Sequence, residues 1–330
     1  VLNVCVTGVY QLKTLLHHFH KIPRRFGRCL ARNTGGGNAM TAYLVVNADD
    51  FGITEGTNRA IIDAHKKGII TSTSLLANGQ SFDHAVGLAL DNPTLGVGVH
   101  LTLSEGRPVD DLARMGVFVE GVAAGEFPLG NTPYVRALLL NKLPRKYIMR
   151  EFKSQILKIT HTGIKPTHLD GHKYIHLLPG IAAIALEVAQ VYNIPFVRLP
   201  RPAEPLNVLL TNPLRVPGML ALSAMSALAL PLAQRAARRI TNRYLGFADT
   251  GKLTLDNLRR LLRKPHAGIT EVVCHPAYRS AQLQTLLSKG YTWIGEYQFE
   301  DETTAVSSPD LRRELEAAGW KLVHFGQVNT

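Results

Sequence analysis

From Tyr43 onward the chain alternates short, dense apolar runs with longer stretches whose apolar residues return every three or four positions. The first pattern suits strands buried on both faces, and the second suits helices laid against them. Strands are expected over 43–48, 69–76, 95–101, 164–169, 194–199, 269–275 and 321–325. Helices are expected over 55–67, from Ser81 to Leu90, over 150–162, 180–192 and 255–263, and from Ser308-Pro309 to Gly319. The punctuation agrees: Thr54 and Ser81 are available as N-caps, Pro309 suits a first helical turn, and Gly68, Gly163 and Gly319 lie where helices stop. Repeated βα units predict an α/β fold, a largely parallel sheet with helices outside it.

Polar residues collect at one kind of place in this pattern. Asp49-Asp50, His100, the group His168, Asp170 and His172, Arg198 and His275 all fall at or just beyond the carboxyl ends of expected strands. In parallel α/β folds that edge binds ligands and carries catalysis. Five strands ending this way point to one convergent site.

Composition narrows the classes. Of 330 residues, 45% are hydrophobic and 19% charged, which suits a folded globular chain and not a disordered one. A net charge of +12 invites a nucleic-acid partner, but aromatics are only 7% and no stacking module is recognisable, so none is expected. The charge is also uneven: residues 1–39 hold six basic side chains and no acid. That stretch has the composition of a transit peptide, but the plainer expectation is an extension outside the native domain, with Met40 as the start and one domain over 40–330. Three cysteines without a CxxC pair exclude a disulfide framework and a zinc cluster, and suggest a reducing, cytoplasmic setting. No run reaches the ~18 consecutive apolar residues of a membrane span. The nearest, 219–232, is interrupted by Ser223, Ser226 and Pro231.

The chemistry of the clustered residues is that of a metal-assisted site. Alternation along a strand sends Asp49 and Asp50 in different directions, so one can bind a cation while the other accepts a proton. Asp50-Phe51-Gly52 mimics a kinase triplet, but the other kinase elements are missing. His100 alone reads as a core histidine. The segment 167–176 (Thr-His-Leu-Asp-Gly-His-Lys-Tyr-Ile-His) is denser, and a His-rich surface loop is its bland alternative. Asp50, His100 and one histidine of that segment make a one-carboxylate, two-histidine set with open positions for water and substrate. Asp170 can orient an imidazole, and Asp49 can take the proton of a water acidified by the cation. His275 can protonate a leaving group, with Cys274 turned away, buried and inert. Arg198 is expected to hold Asp49 or an acidic substrate group, with a surface ion pair as the alternative.

As a set, these blocks resemble the YdjC-like carbohydrate deacetylases, relatives of the NodB-type polysaccharide deacetylases. The resemblance rests on 46–52, 68–79 (Gly-Ile-Ile-Thr-Ser-Thr-Ser-Leu-Leu-Ala-Asn-Gly), 98–103, 165–176 and 272–277, in unchanged order. It implies a distorted seven-stranded (β/α) barrel and removal of an N-acetyl group from an amino sugar. By position, Asp49 matches the family's catalytic base, Asp50, His100 and His172 its metal ligands, and His275 its candidate acid. His168, Asp170, His176 and Arg198 are left for support or substrate binding. Family members have been assigned magnesium, whereas the nitrogen-rich ligand set looks more like zinc.

One region departs from the short members of the family. Residues 198–264 carry twelve Arg or Lys against three acids and include the apolar 219–232 followed by Gln-Arg-Ala-Ala-Arg-Arg. With 245–251 (Leu-Gly-Phe-Ala-Asp-Thr-Gly), this insertion over about 199–264 resembles the branch associated with hopanoid biosynthesis, the HpnK-like proteins. That resemblance implies an N-acetylglucosaminyl hopanoid as substrate. A short apolar segment flanked by arginines can also lie on an anionic membrane, although an ordinary buried helix with a solvated basic face has the same pattern. The alternatives are a deacetylase of soluble chito-oligosaccharides and a non-catalytic carbohydrate- or lipid-binding barrel; the oligomeric state is open.

Overall fold

Seven strands line up in the order β5-β4-β3-β2-β1-β7-β6, every pair parallel, in a computed structural model that describes residues 41–110, 125–202, 208 and 212–328. The extension expected over 1–39 lies outside the described residues, as does Glu204 of the insertion. The strands are β1 (Ala42–Phe51), β2 (Ser72–Leu75), β3 (Gly96–Leu101), β4 (His168–Gly171), β5 (Phe196–Val197), β6 (Arg243–Leu245) and β7 (Gly268–Cys274), and β8 (Trp320–Leu322) adds to the start of β1. Two isolated parallel bridges, Phe196 to Arg239 and Pro202 to Tyr244, link the β5 edge to the β6 edge. The sheet therefore curls into a distorted barrel with a ragged seam.

Alternation along β1 sorts the interior from the exterior. Leu44, Val46 and Ala48 join the main apolar core with helix residues such as Ile61, Phe152, Ile184 and Leu258. Val45 points the other way and clusters with Phe196, Ile269, Val323, Phe325 and Val328. These residues lie early in their strands or in the tail after β8, so they floor the amino-terminal end of the barrel. Above them the interior turns polar with Asn47, Ser74, His168, Asp170, Arg198 and Glu271, all buried.

The helices are α1 (Glu55–Lys67), α2 (Phe82–Leu90), α3 (Thr132–Leu139), α4 (Arg145–Thr160), α5 (Ile181–Val191), α6 (Val216–Arg235), α7 (Leu255–Leu262), α8 (Ala281–Ser288), α9 (Trp293–Glu296), α10 (Phe299–Val306) and α11 (Pro309–Ala317). Thr54 caps α1 by accepting from the Thr57 amide. Ser81 does not cap α2 through its side chain; its hydroxyl instead accepts from Gln282. Several expected strands begin late for a plain reason. Pro166 and Pro195 have no N–H for a ladder, so β4 and β5 pair only beyond them. The amide of Ile69 is spent on the carbonyl of Val306, which delays β2.

The apolar 219–232 is part of one helix, α6, that runs through Pro231. Ala227, whose carbonyl loses its bond to that proline, is exposed, so water can satisfy it. The expectation of no membrane-length segment therefore holds only for unbroken apolar runs: Pro213–Arg235 reaches spanning length with mean hydropathy 1.7, and only 28% of its apolar window is buried. Met219, Leu222, Ser226, Ala229 and Ala233 form its buried face, against α5 and the turn after β4. Leu214, Leu220 and Leu228 face out.

Candidate active site

The carboxyl end of β1 breaks its own alternation. Pairing with β2 shifts register between Ala48 and Phe51, and Asp50 sits at φ 65°, in the left-handed region. Gly52 follows at φ 95°, its amide held by Asn58 Oδ1 at 2.7 Å. This kink aims two adjacent carboxylates into the barrel mouth at different partners. Asp49 turns to Arg198, and Asp50 turns to His100 and His172.

His100 comes from the end of β3, and His172 from the turn beyond β4. His100 Nε2 lies 3.4 Å and His172 Nδ1 2.8 Å from the same oxygen, Asp50 Oδ1. The far nitrogen of each ring meets another carboxylate: His100 Nδ1 is 2.7 Å from Asp170 Oδ1, and His172 Nε2 is 2.8 Å from Glu105 Oε2. Burial pushes Asp50 up, but the two imidazoles outweigh it and hold the carboxyl well below its usual range. Burial likewise pushes His100 down, and Asp170 and Asp49 reverse this to about 10. His172 is raised because Asp50 and Glu105 outweigh its burial.

Ligand atoms of Asp50, His100 and His172 all lie within 4.8 Å of one another. Asp50 Oδ1 is fully buried and makes no hydrogen bond of good geometry despite the two nitrogens beside it. A buried carboxylate oxygen left without a hydrogen bond between two imidazoles suits a divalent cation. A second grouping, Asp49, His100 and Asp170, also falls within that limit, but Arg198 already occupies oxygens of both its carboxylates.

Arg198 is buried, which removes the surface-ion-pair alternative. Its guanidinium meets Asp49 at 2.7 and 2.8 Å, Asp170 Oδ2 at 2.8 Å and Glu271 Oε1 at 2.6 Å. Burial raises Glu271 to about 7 even with that arginine beside it. Asn47 Nδ2 also donates to Asp49 Oδ1, and Ser74 Oγ to Asp170 Oδ2, at 2.8 and 2.6 Å. His168 and His176 belong to the scaffold of this network. His168 lies between Ser74 and Thr167 with Phe325 against its ring, and burial lowers it to about 3. His176 contacts the Arg198 carbonyl through Nε2 at 2.9 Å, and burial lowers it to about 4.

His275 follows β7 and reaches the same mouth. Its amide donates to Glu302 Oε1 at 2.8 Å, its ring packs edge-on to Tyr297, and its Nδ1 makes no hydrogen bond, lying 4.0 Å from Glu302 Oε1. Burial lowers His275 despite the Asp49 and Asp50 carboxylates, so the ring is neutral in the free site. Burial raises Glu302 to about 8. Cys274 is buried, with its thiol pushed well up.

Sequence reasoning missed several of these partners. Glu105 follows His100 by five residues in an unstructured turn and carries no motif. Glu271 had a readable signal, a carboxylate inside an apolar strand, whereas Trp293, Tyr297 and Glu302 come from α9, the link after it and α10, which the apolar pattern did not predict. Trp293 and Tyr297 form an aromatic wall between His172 and His275, with successive ring centroids 5.9, 5.1 and 5.2 Å apart. On the other side of His172 opens a cleft of about 280 Å³ lined by Asn78, Glu105, Arg107, Lys289 and Tyr291.

A curled parallel barrel with buried carboxylates and imidazoles converging at its carboxyl mouth defines an α/β-barrel enzyme. The chain belongs to the YdjC-like protein family, whose pattern it matches over residues 43–317. It is similar to a carbohydrate deacetylase of Geobacillus stearothermophilus, 30% identical over 87% of this chain and 98% of that one. A carbohydrate deacetylase of Brevibacillus brevis is 41% identical over a shorter segment, 48% of this chain and 59% of the relative. A crystal structure from Enterococcus faecalis V583, named provisionally for cellobiose-phosphate cleavage, superposes with a TM-score of 0.67 at 26% identity, over 88% of this chain and 100% of that one.

Proposed function

We propose that this chain is a carbohydrate N-deacetylase, hydrolysing the acetamide of an N-acetylglucosaminyl group to acetate and a free amine. The observation that carries the reading is the division between adjacent carboxylates: Asp49 is gripped by an arginine, and Asp50 faces two imidazoles. Asp50, His100 and His172 are the residues that would hold a divalent cation, magnesium or zinc. Bound there, it supplies Lewis acidity to the acetamide carbonyl and makes water easier to deprotonate. Asp49 accepts the proton of the attacking water. Arg198 and Asn47 fix its orientation, and its carboxylate has lone pairs to spare beyond those bonds. His275, neutral in the free site, receives the proton that the attacking water gave up to Asp49 and passes it to the departing nitrogen, which returns both groups to their starting states.

The substrate is carried on a lipid, an N-acetylglucosaminyl hopanoid, and the enzyme is cytoplasmic and meets the membrane face through α6. The support is the outward Leu220 and Leu228 on a helix without an acid in twenty residues, preceded by the exposed Leu214 and closed by the exposed Arg235. Much of the surrounding basic charge has local work as well. Arg215 donates to the carbonyls of Phe247 and Thr250, Arg238 to that of Ile194 and Arg239 to that of Val328. The loop that Arg215 holds carries Phe247, which lies near Tyr174, while Gly251 abuts Tyr297. The lipid-facing helix is thus tied to the wall beside His275.

A second reading, deacetylation of soluble chito-oligosaccharides, is favoured by the cleft beside His172, which has room for a sugar ring and offers Asn78, Glu105, Arg107 and Lys289 to its hydroxyls. Acetate release from an acetylglucosaminyl lipid and from diacetylchitobiose, each with and without chelator, separates the two. Chelator-sensitive turnover of the lipid is expected; turnover of neither, or turnover indifferent to chelator, overturns the corresponding part of the proposal.

A further inference from the structure

Glu105 is a buried acidic side chain at the mouth that neither substrate chemistry nor a strand end accounts for. It lies just past β3 at φ 65°, its amide donates to the Pro128 carbonyl at 2.9 Å, and its carbonyl accepts from Asn78 Nδ2 at 3.0 Å. Its carboxylate is buried and collects three donors: His172 Nε2 at 2.8 Å, Trp293 Nε1 at 3.2 Å and the Lys173 ammonium. Backbone and side chain are both pinned, so this carboxylate is a fixed feature of the site.

We propose that Glu105 is a positioning residue that holds the proton of His172 on Nε2, leaving the Nδ1 lone pair directed at Asp50 as cation binding requires. This inference rests on the reading of Asp50, His100 and His172 as a cation site. A neutral imidazole has one N–H and one lone pair, and which nitrogen carries the proton follows from what the other side of the ring bonds. His172 faces Asp50 Oδ1 through Nδ1 at 2.8 Å. A cation shared by those two atoms requires the lone pair there, and the Glu105 carboxylate accepts the proton from the opposite nitrogen. His100 is built in mirror fashion: Asp170 Oδ1 lies 2.7 Å from Nδ1, and Nε2 faces Asp50. The two rings therefore present opposite nitrogens to one oxygen, each backed by its own carboxylate. The His100 backing was expected from sequence; the Glu105 backing comes from a turn that folds back over the site. Such carboxylate partners orient metal-binding imidazoles and raise their basicity.

The test is Zn²⁺ and Mg²⁺ affinity of the purified full chain, measured by competition with a chromophoric chelator, together with ¹⁵N histidine spectra of the metal-free protein, taken at a pH high enough to leave His172 neutral because Asp50 and Glu105 raise it. Glu105→Ala is expected to weaken binding about 10–100-fold. It should also replace a single Nε2–H signal for His172 by a mixture of tautomers. Glu105→Gln retains an accepting oxygen and is expected to lose less, whereas Lys173→Met, which removes a Glu105 partner without touching His172, should change affinity by less than about threefold. A merely structural role for Glu105 would leave the His172 tautomer unmoved. Wild-type affinity and an unchanged Nε2–H signal in folded Glu105→Ala, or in Glu105→Gln should the alanine variant not fold, overturn the inference while leaving the cation site standing. A wild-type protein that binds neither cation overturns both.

Discussion

Arg198 spans both oxygens of Asp49, a residue 149 positions away, with Nη1 2.7 Å from Oδ2 and Nη2 2.8 Å from Oδ1. The same guanidinium also meets Asp170 and Glu271, so one buried cation contacts three carboxylates. Arg198→Lys cannot reproduce the planar fork and is expected to lower kcat about 100-fold through loss of Asp49 orientation. Arg198→Met leaves the carboxylates unpaired and should cost about 3–5 kcal/mol of stability, read from urea unfolding. Wild-type kcat in the lysine variant would show that Asp49 needs no such grip.

Asp49→Asn keeps the size and hydrogen-bonding reach of the side chain but removes its capacity to take a proton. Acetate release should fall about 10²–10⁴-fold with cation content unchanged. In contrast, Asp50→Ala, His100→Ala and His172→Ala should each lose bound cation, measured by elemental analysis after gel filtration. Normal cation content in all three would remove them as ligands.

Glu302 gives the fold a pH dependence of definite sign. Its carboxyl is raised by burial to about 8, above its ordinary 4.5. The folded state therefore binds the proton more tightly than the unfolded state, so this group favours folding most below 4.5 and progressively less as pH rises through 8. Glu302→Gln stays neutral at every pH and can still accept the His275 amide. Its Tm relative to wild type should climb between pH 5 and pH 9; a difference that stays constant with pH would mean that Glu302 is ionised in the fold throughout.

The outer face of α6 supplies a test of the lipid reading that leaves the chemistry alone. Leu220 and Leu228 are 60% and 59% exposed, so changing both to Glu should alter stability by less than about 1 kcal/mol. Partition onto vesicles containing anionic lipid should fall at least about tenfold, and turnover of the lipid substrate with it. Turnover of diacetylchitobiose should not change. Equal vesicle binding by wild type and variant would detach α6 from the membrane.

Much of the barrel was legible because its strands form short, dense and mostly apolar runs and its helices are apolar on one face. The helix over Glu55–Lys67 matches its expected bounds, since Thr54 and Gly68 mark both ends. The core of the site was legible for a related reason: Asp49, Asp50, His100, His172 and His275 fall where apolar runs stop. Strands that begin late after Pro166 and Pro195 were misjudged by hydrophobicity alone, which does not register a missing N–H. The three-residue β6 and the helices over 281–306 carry too short or too mixed a pattern to stand out.

Spacing along the chain decided which residue types reach the barrel mouth, because a parallel fold brings every strand's carboxyl end to the same side. It did not decide their partners. Asp49 and Asp50 are neighbours in sequence, yet a left-handed φ at Asp50 sends one to Arg198 and the other to two imidazoles. Gly98 gives room for a close approach: a Cβ there would lie 2.4 Å from the His168 ring. Glu105, Glu271 and Glu302 became part of the site only when the chain closed around them. Burial and contact set the charge state and orientation of a carboxylate, and those depend on residues up to a hundred or more positions away.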